Sequence, residues 1–308
     1  RGGRDLGLGW THEEIITKVA MPFISSYRDL PQYVFQIQTK FRDEPRAKSG
    51  IVRGREFLMK DLYSFHTTPE DLDSFYQVAT EAYRSIFKRL DLDAYCVEAS
   101  GGAFTKEFSH EFQVLSDAGE DEIVYCTKCS FARNKEIIAD FKKCPNCQSE
   151  LQIGKSIEVG NIFKLGIKFS EAFGLFYQDE KSEKKPVVMG SYGIGPGRLV
   201  GTLVETHHDE RGIIWPEVVA PFRVHILALS PKVKEFAISI YQELQKKKVD
   251  VLFDDREDKT PGERFSDSDL IGIPWRVVVS EKTVKENKIE VKKRSETDVT
   301  LMDIQSFL

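Results

Sequence analysis

Residues 41–61 read FRDEPRAKSGIVRGREFLMKD, and the fold turns on how that stretch is taken. It reads as two strands joined by a turn. Side chains on a strand alternate faces with period two. Carried back to residue 35, the first strand puts Phe35, Ile37, Thr39 and Phe41 on one face. Gln36, Gln38, Lys40, Arg42 and Glu44 fall on the other. The connection PRAKSG, with a Pro, a Gly and two cations, marks a flexible loop. On the second strand Arg53, Arg55, Phe57, Met59 and Asp61 share a face. Pairing the strands brings Arg42, Glu44, Arg53, Phe57 and Asp61 onto one polar floor. Such a floor holds a guanidinium for a phosphate or carboxylate, an acceptor for an amine and a ring to stack on. Alternation alone describes a charged, solvated hairpin equally well.

Composition sets the bounds. The chain has 308 residues, 41% hydrophobic and 30% charged, enough for about two domains at ~150 residues each. A net charge of -5 provides no global positive field, so a nucleic acid would be met by local basic patches. No apolar run approaches the ~18–20 residues of a membrane helix. The opening RGGRDLGLGWTHEE has no apolar signal-peptide core. Five clustered cysteines are too few for a secreted disulfide scaffold, which points to a reducing, cytoplasmic setting.

The spacing of the hairpin residues carries more than alternation does. FRxE, a basic loop and then Arg-x3-Phe-x3-Asp resembles the second signature motif of the class II aminoacyl-tRNA synthetases. The longer run TKFRDEPRAKSGIVRGREFLMKDLYSF is similar to the prolyl-tRNA synthetases of the bacterial kind. The resemblance implies that Arg42 bridges the amino-acid carboxylate and the ATP α-phosphate. It implies that Glu44 holds the adenine amine side, that Phe57 stacks on the adenine ring and that Arg53 joins this ATP-binding set.

Upstream, WTHEE (10–14) reads as a helix start with Thr11 as N-cap and Glu14 three residues on. By resemblance Thr11 and Glu13 are the Thr-x-Glu that lines a proline pocket. A secondary ammonium calls for a carboxylate and a hydroxyl. Downstream, Thr68 and Pro69 start a helix whose Leu72, Phe75, Tyr76, Ala79, Tyr83, Ile86, Phe87 and Leu90 form an apolar stripe. In SGGAFTKEFSHEFQVL (100–115), His110 on an apolar strand reads as a core histidine. The resemblance places SHEF beside the amino-acid pocket and gives His110 a part in shaping it.

Cys126-Thr-Lys-Cys129 and Cys144-Pro-Asn-Cys147 are two CxxC knuckles with 14 residues between them. Four thiolates so paired suit a closed, structural Zn²⁺ site. Neither CxxC opens a helix after a strand, as a thioredoxin-like redox pair would. Cys96 stands apart as a core residue. In SIEVGNIFKLG (156–166), Glu158 and Asn161 are polar among apolar neighbours. This segment resembles the family's EVG-x-IF strand, where His commonly occupies the Asn161 position. The resemblance makes both residues part of the ATP end and Glu158 a ligand for Mg²⁺. The interval from Asp61 to Gly193 leaves no room for the large editing domain that many bacterial members insert. Discrimination of one methylene is worth only ~1–3 kcal/mol, so we expect mischarged alanine not to be cleared in cis.

Val187–Tyr192 reads as a strand, followed by Gly193-Ile-Gly195-Pro-Gly197-Arg198 and a helix. The turn is no dinucleotide fingerprint, because Arg198 stands where GxGxxG needs its last Gly. It resembles the third class II motif, in which Arg198 grips the ATP γ-phosphate. From residue 223 strands alternate with helices, which predicts a small α/β domain with a largely parallel sheet. It resembles the anticodon-binding domain shared by the proline, threonine, histidine and glycine enzymes. Lys292, Lys293 and Arg294 give it a basic edge.

The expected architecture is therefore an α+β catalytic domain with an antiparallel class II sheet over residues 1–217. A four-cysteine zinc-knuckle segment (124–150) is inserted in it, and a C-terminal anticodon-binding α/β domain covers 218–308. The implied activity is ligation of proline to proline tRNA through prolyl-adenylate, using ATP with Mg²⁺. Arg42 and Arg198 are the implied catalytic pair. The first class II motif, which builds the family's dimer interface, is absent before Trp10. We thus expect either a fragment of a longer chain, homodimeric in its full-length form, or a protein that does not assemble in the family's way. A non-catalytic, synthetase-like RNA-binding protein is the other class of reading.

Overall fold

In a computed structural model of the chain, the described residues are 3, 7–45, 47, 49–102, 104–105, 108–138 and 143–307. Arg46 and Lys48 of the basic loop, Ala103, Lys106 and Glu107 before SHEF, and residues 139–142 of the cysteine segment lie outside them. The chain divides into two units, Arg1–Thr202 and Leu203–Leu308.

The first unit opens with α1 (Glu13–Ala20), β1 (Gln32–Phe41), β2 (Glu56–His66) and α2 (Pro69–Arg89). Next come β3 (Ala94–Ser100), β4 (Phe108–Leu115), β5 (Asp121–Cys126), β6 (Ala132–Asn134) and the long β7 (Leu151–Gly166). It closes with α3 (Lys168–Phe173), β8 (Phe176–Gln178), β9 (Lys184–Pro186), β10 (Val188–Ile194) and α4 (Pro196–Thr206), which runs on past Thr202. One eight-stranded sheet organises the unit, in the order β1-β2-β10-β7-β4-β3-β6-β5, and β5 returns to pair with the start of β7. Every ladder in it is antiparallel except the single β3–β6 bridge.

The β1–β2 hairpin forms in the register Gln36↔Asp61, Gln38↔Met59 and Lys40↔Phe57. Opposite residues in an antiparallel ladder project from the same face, so these six share one side. Arg42 and Glu44 lie past the end of β1, and Arg53 and Arg55 lie before β2. The floor expected from strict alternation is therefore part ladder and part loop. One backbone bond, Arg42 N–H to Arg55 C=O at 2.8 Å, carries the pairing one step further.

Helix α2 covers the other face of the sheet. The Thr68 hydroxyl accepts the Asp71 N–H and Pro69 occupies the first helical position, as the capping pattern predicts. Leu72, Tyr76, Ala79, Tyr83 and Phe87 are buried. Tyr83 and Phe87 meet Phe112 of β4, and Tyr76 meets Tyr192 of β10. Side chains of this size each contribute roughly 1.5–3 kcal/mol on burial, which fixes the helix to the sheet. Ala20, Tyr63, Phe65, Leu165, Phe169, Leu175 and Met189 form a second core, drawing on α1 and α3.

The second unit holds the short hairpin β11 (His208–Asp209) and β12 (Gly212–Ile213). After it come β13 (Val224–Ala228), α5 (Lys234–Lys246), β14 (Val251–Asp254), α6 (Pro261–Ile271) and β15 (Trp275–Val279). The unit ends with α7 (Glu281–Lys285), β16 (Ile289–Lys293), β17 (Val299–Met302) and α8 (Ile304–Phe307). Strand order is β14-β13-β15-β16-β17. β14, β13 and β15 run parallel, while β16 and β17 are antiparallel. This corrects the expectation of a largely parallel sheet. The sheet is mixed, because β16 runs back along β15 and a polar turn after Arg294 returns the chain as β17. Among the described residues no helix is long and apolar enough to cross a membrane.

Candidate active site

A cavity of about 260 Å³ opens on the α1 side of the large sheet. Thr11, Glu13, Arg42, Glu44, Arg53, Phe57, Glu158, Asn161 and Arg198 all line it. Elements far apart in sequence thus deliver nine of the ten amino-acid and nucleotide residues picked from motifs. The exception is His110. Its Nδ1 lies 2.9 Å from the Tyr76 hydroxyl, and the two rings meet edge to face beneath α2. Its neighbour Glu111 points the other way, toward the cavity residues. His110 is thus a helix-side residue, and strand parity is the reason.

One end of the cavity is built around Glu13. It is 3% exposed, in the first turn of α1. Its Oε1 accepts the Ser191 hydroxyl at 3.0 Å and its Oε2 accepts the Thr11 hydroxyl. Among the described residues no cation pairs with it. A buried carboxylate satisfied only by hydroxyls retains its demand for a positive partner. The expected Thr11–Glu14 capping box does not form. His12 is the N-cap and makes no side-chain cap, because Thr11 turns to Glu13 instead. Beside Glu13 the floor holds a buried ion pair, with Lys40 Nζ at 3.0 and 2.9 Å from the two Asp61 oxygens. Gly193 stands across from Asp61. A Cβ there would come to 3.1 Å from Met59 Cε, so the glycine keeps the floor open.

At the other end Arg198, in the first turn of α4, donates Nη1 to Glu158 Oε2 at 2.9 Å and Nε to the Val52 carbonyl at 3.1 Å. Asn161 donates its Nδ2 to Glu158 Oε1 at 3.1 Å and to Glu111 Oε1 at 3.4 Å. Residues three apart on a regular strand face opposite ways. Here β4 and β7 lose register, so that Phe112 faces Gly160 and Gln113 faces Glu158. Val159 is the extra residue of a bulge, and the bulge turns Glu158 and Asn161 to the same side. Burial, and after it the Glu158 charge, push the Glu111 carboxyl up to about 7.

Arg42 lies between the two ends. Its guanidinium is 5.2 Å from the Phe57 ring centroid and 5.6 Å from that of Trp10. Burial draws its pKa down; the Glu158 charge opposes this and the Arg198 charge adds to it. The two guanidiniums therefore sense one another across the cavity. Arg53 is engaged by two carboxylates, Glu44 at 3.1 Å and Glu120 at 2.5 Å. Motif reading missed Ser191, Lys40, Glu111 and Glu120. Only register and loop packing bring them here.

The four paired cysteines meet at the end of β5. Their sulfurs all lie within 4.8 Å of one another, with Cys126–Cys147 at 3.5 Å and Cys129–Cys144 at 3.4 Å. Zn–S bonds of about 2.3 Å in a tetrahedron hold sulfurs about 3.8 Å apart. The thiols are free of disulfides, and the donor set fits that ion. Cys96 is separate from them.

Comparison with known proteins gives a consistent picture. Residues 1–207 match the model of the tRNA synthetase class II core domain (G, H, P, S and T), and 223–308 match the anticodon binding domain. The proline–tRNA ligase of Wolbachia pipientis is 42% identical over 321 positions, covering 100% of this chain and 75% of that protein. The proline–tRNA ligase of Dehalococcoides mccartyi is 31% identical, covering 100% and 80%. That alignment runs over 459 positions against the 308 residues of this chain. The Dehalococcoides protein therefore carries a long internal segment with no counterpart here. Two structures of prolyl-tRNA synthetase from Cryptosporidium parvum share the fold. One, with L-proline and AMP, aligns at TM-score 0.77 and 21% identity. The other, with halofuginone and AMPPNP, aligns at 0.78 and 22%. The chain spans 56% and 58% of the length of those two chains.

Proposed function

The chain belongs to the proline–tRNA ligases among the class II aminoacyl-tRNA synthetases, and on that premise we propose that it activates L-proline with ATP and passes the prolyl group to proline tRNA. The observation that carries the reading is the single cavity holding Glu13 and its two hydroxyls at one end and Arg198 at the other, with Arg42 between them.

Glu13 takes the secondary ammonium of proline, with Thr11 and Ser191 orienting its oxygens. The proline carboxylate then lies toward Arg42. ATP lies with its adenine on Phe57, its exocyclic amine toward the Glu44 side and its phosphates bent toward Arg198. Arg53, held by Glu44 and Glu120, joins this ATP-binding set. A proline carboxylate oxygen attacks the α-phosphorus, the bond to the β-phosphate oxygen breaks, and pyrophosphate leaves. A ribose hydroxyl at the tRNA terminus next attacks the prolyl carbonyl and AMP departs. No side chain need act as general base for the first step, since the nucleophile is already an anion. The contribution of the protein is positioning and charge neutralisation. Glu158 is the oxygen donor that would hold Mg²⁺, which supplies further neutralisation of the phosphates.

We assign Cys126, Cys129, Cys144 and Cys147 to a structural Zn²⁺, since four thiolates leave no open position for substrate. The residues 223–308 module is the part that meets the tRNA anticodon. The activity is placed in the cytoplasm, and the full-length form is a homodimer. Catalytic and anticodon-binding domains are assigned to 1–217 and 218–308.

Proline-dependent exchange of labelled pyrophosphate into ATP tests the reading. Exchange with proline and none with other amino acids at equal concentration is the expected result. No exchange by soluble, folded protein overturns it.

A further inference from the structure

The hydrogen bonds behind the nucleotide end of the cavity form one connected row. Asp121 Oδ2 accepts Gln113 Nε2 at 3.1 Å, and the same nitrogen donates to Glu111 Oε2 at 2.9 Å. Glu111 Oε1 accepts Asn161 Nδ2, which also donates to Glu158 Oε1, and Glu158 Oε2 receives Arg198. Every donor in the row is an amide or a guanidinium and every acceptor a carboxylate. With the carboxyls ionised its direction is therefore fixed, and no amide in it can rotate without setting acceptor against acceptor. Glu111 holds the middle. Without its charge the Asn161 amide loses one of the two carboxylates that define its rotation, and the amide is what reaches Glu158 Oε1.

We infer that Glu111 is a positioning residue for the nucleotide: through the Asn161 amide it holds Glu158, and through Glu158 it holds the Arg198 guanidinium, in the geometry that receives the ATP phosphates. The inference rests on the assignment of Glu158 and Arg198 to ATP. Glu111 itself need not touch substrate. Its partner Asn161 and, beyond that amide, Glu158 line the cavity, whereas Glu111 is not among the lining residues.

Glu111→Gln is the informative change. It keeps the size of the side chain but presents an NH₂ to Gln113 or Asn161, each of which already donates. The full chain is compared with Glu111→Gln, Glu111→Asp and Arg198→Ala in two measurements. One is calorimetric binding of AMPPNP with MgCl₂; the other is the KM for ATP and for proline in pyrophosphate exchange. Arg198→Ala is the control on the underlying assignment. Losing a hydrogen bond to a charged group corresponds to roughly a tenfold effect. Expected for Glu111→Gln is AMPPNP affinity about tenfold weaker, a KM for ATP raised to match, a KM for proline within about twofold of the parent, and an unaltered melting midpoint. Glu111→Asp, which keeps the charge but shortens the reach, is expected to fall between the two and serves if the Gln variant does not fold. If Arg198→Ala weakens AMPPNP and neither Glu111 variant does, the positioning role is overturned while the ATP assignment stands. If Arg198→Ala leaves AMPPNP binding unchanged, the ATP assignment fails and takes this inference with it. Equal losses for ATP and proline in the Glu111 variants reduce Glu111 to a general structural residue.

Discussion

Arg42 and Arg198 face one cavity, the first from the turn after β1 and the second from the first turn of α4. Nothing local in the sequence brings them there. The link is β10, which pairs with β2 on one side and hands the chain to α4 on the other. Two cations facing one cavity repel, and Glu158, which bonds Arg198 and whose charge also acts on Arg42, offsets part of that cost. The remainder is relieved when a polyanion enters, so nucleotide binding should depend strongly on both side chains.

The Glu13 carboxylate has hydroxyl partners and no cation among the described residues. Glu13→Gln should therefore raise the KM for proline by roughly tenfold or more, with little change in the KM for ATP. It should leave the melting midpoint the same or higher, because an uncompensated buried charge is removed. Steady-state exchange kinetics with each substrate varied, together with a thermal melt, check both halves.

Lys40 and Asp61 are each 2% exposed and form a buried ion pair in the cavity floor. Lys40→Met strands the Asp61 charge and should cost about 3–5 kcal/mol of stability. Lys40→Met with Asp61→Leu should recover most of it. Urea unfolding of the single and double variants decides, and a double variant no better than the single one refutes the pairing argument.

For the cysteine cluster, we expect one Zn²⁺ per chain by native mass spectrometry after purification without chelator. Cys129→Ser should lower zinc content and open residues 124–150 to limited proteolysis. The exchange reaction should fall less than the zinc content, since no cysteine lines the cavity.

His225 lies on β13, 2% exposed, and burial lowers its pKa from 6.5 to about 4, with Asp254 opposing and Arg256 and Arg276 adding. The folded state thus disfavours the charged ring. The sign follows: its contribution is fully present above pH 6.5 and is lost as pH falls toward 4. The span is worth roughly 3 kcal/mol at about 1.36 kcal/mol per pH unit. Unfolding followed at about pH 7 and about pH 4.5 should show the loss in parent protein and a smaller one in His225→Leu.

Much of this was legible in the chain as written. The Arg42, Glu44, Phe57 and Arg198 motifs, the Thr11-x-Glu13 pair, the cysteine spacing and the capped helix α2 are short-range signals. Short-range signals survive reading because their chemistry depends on neighbours a few residues away. What the sequence could not decide was parity and register. SHEF carries a histidine and a glutamate side by side, and a strand sends them to opposite faces. Pairing with β7 turned Glu111 toward the cavity and His110 toward Tyr76. The bulge at Val159 put Glu158 and Asn161 on one side, against the period-two rule. Ser191 reached Glu13 only because β10 inserts between β2 and β7. These outcomes depend on backbone hydrogen bonds between strands distant in the chain, whose register is set by the packed sheet as a whole and not by any stretch of it.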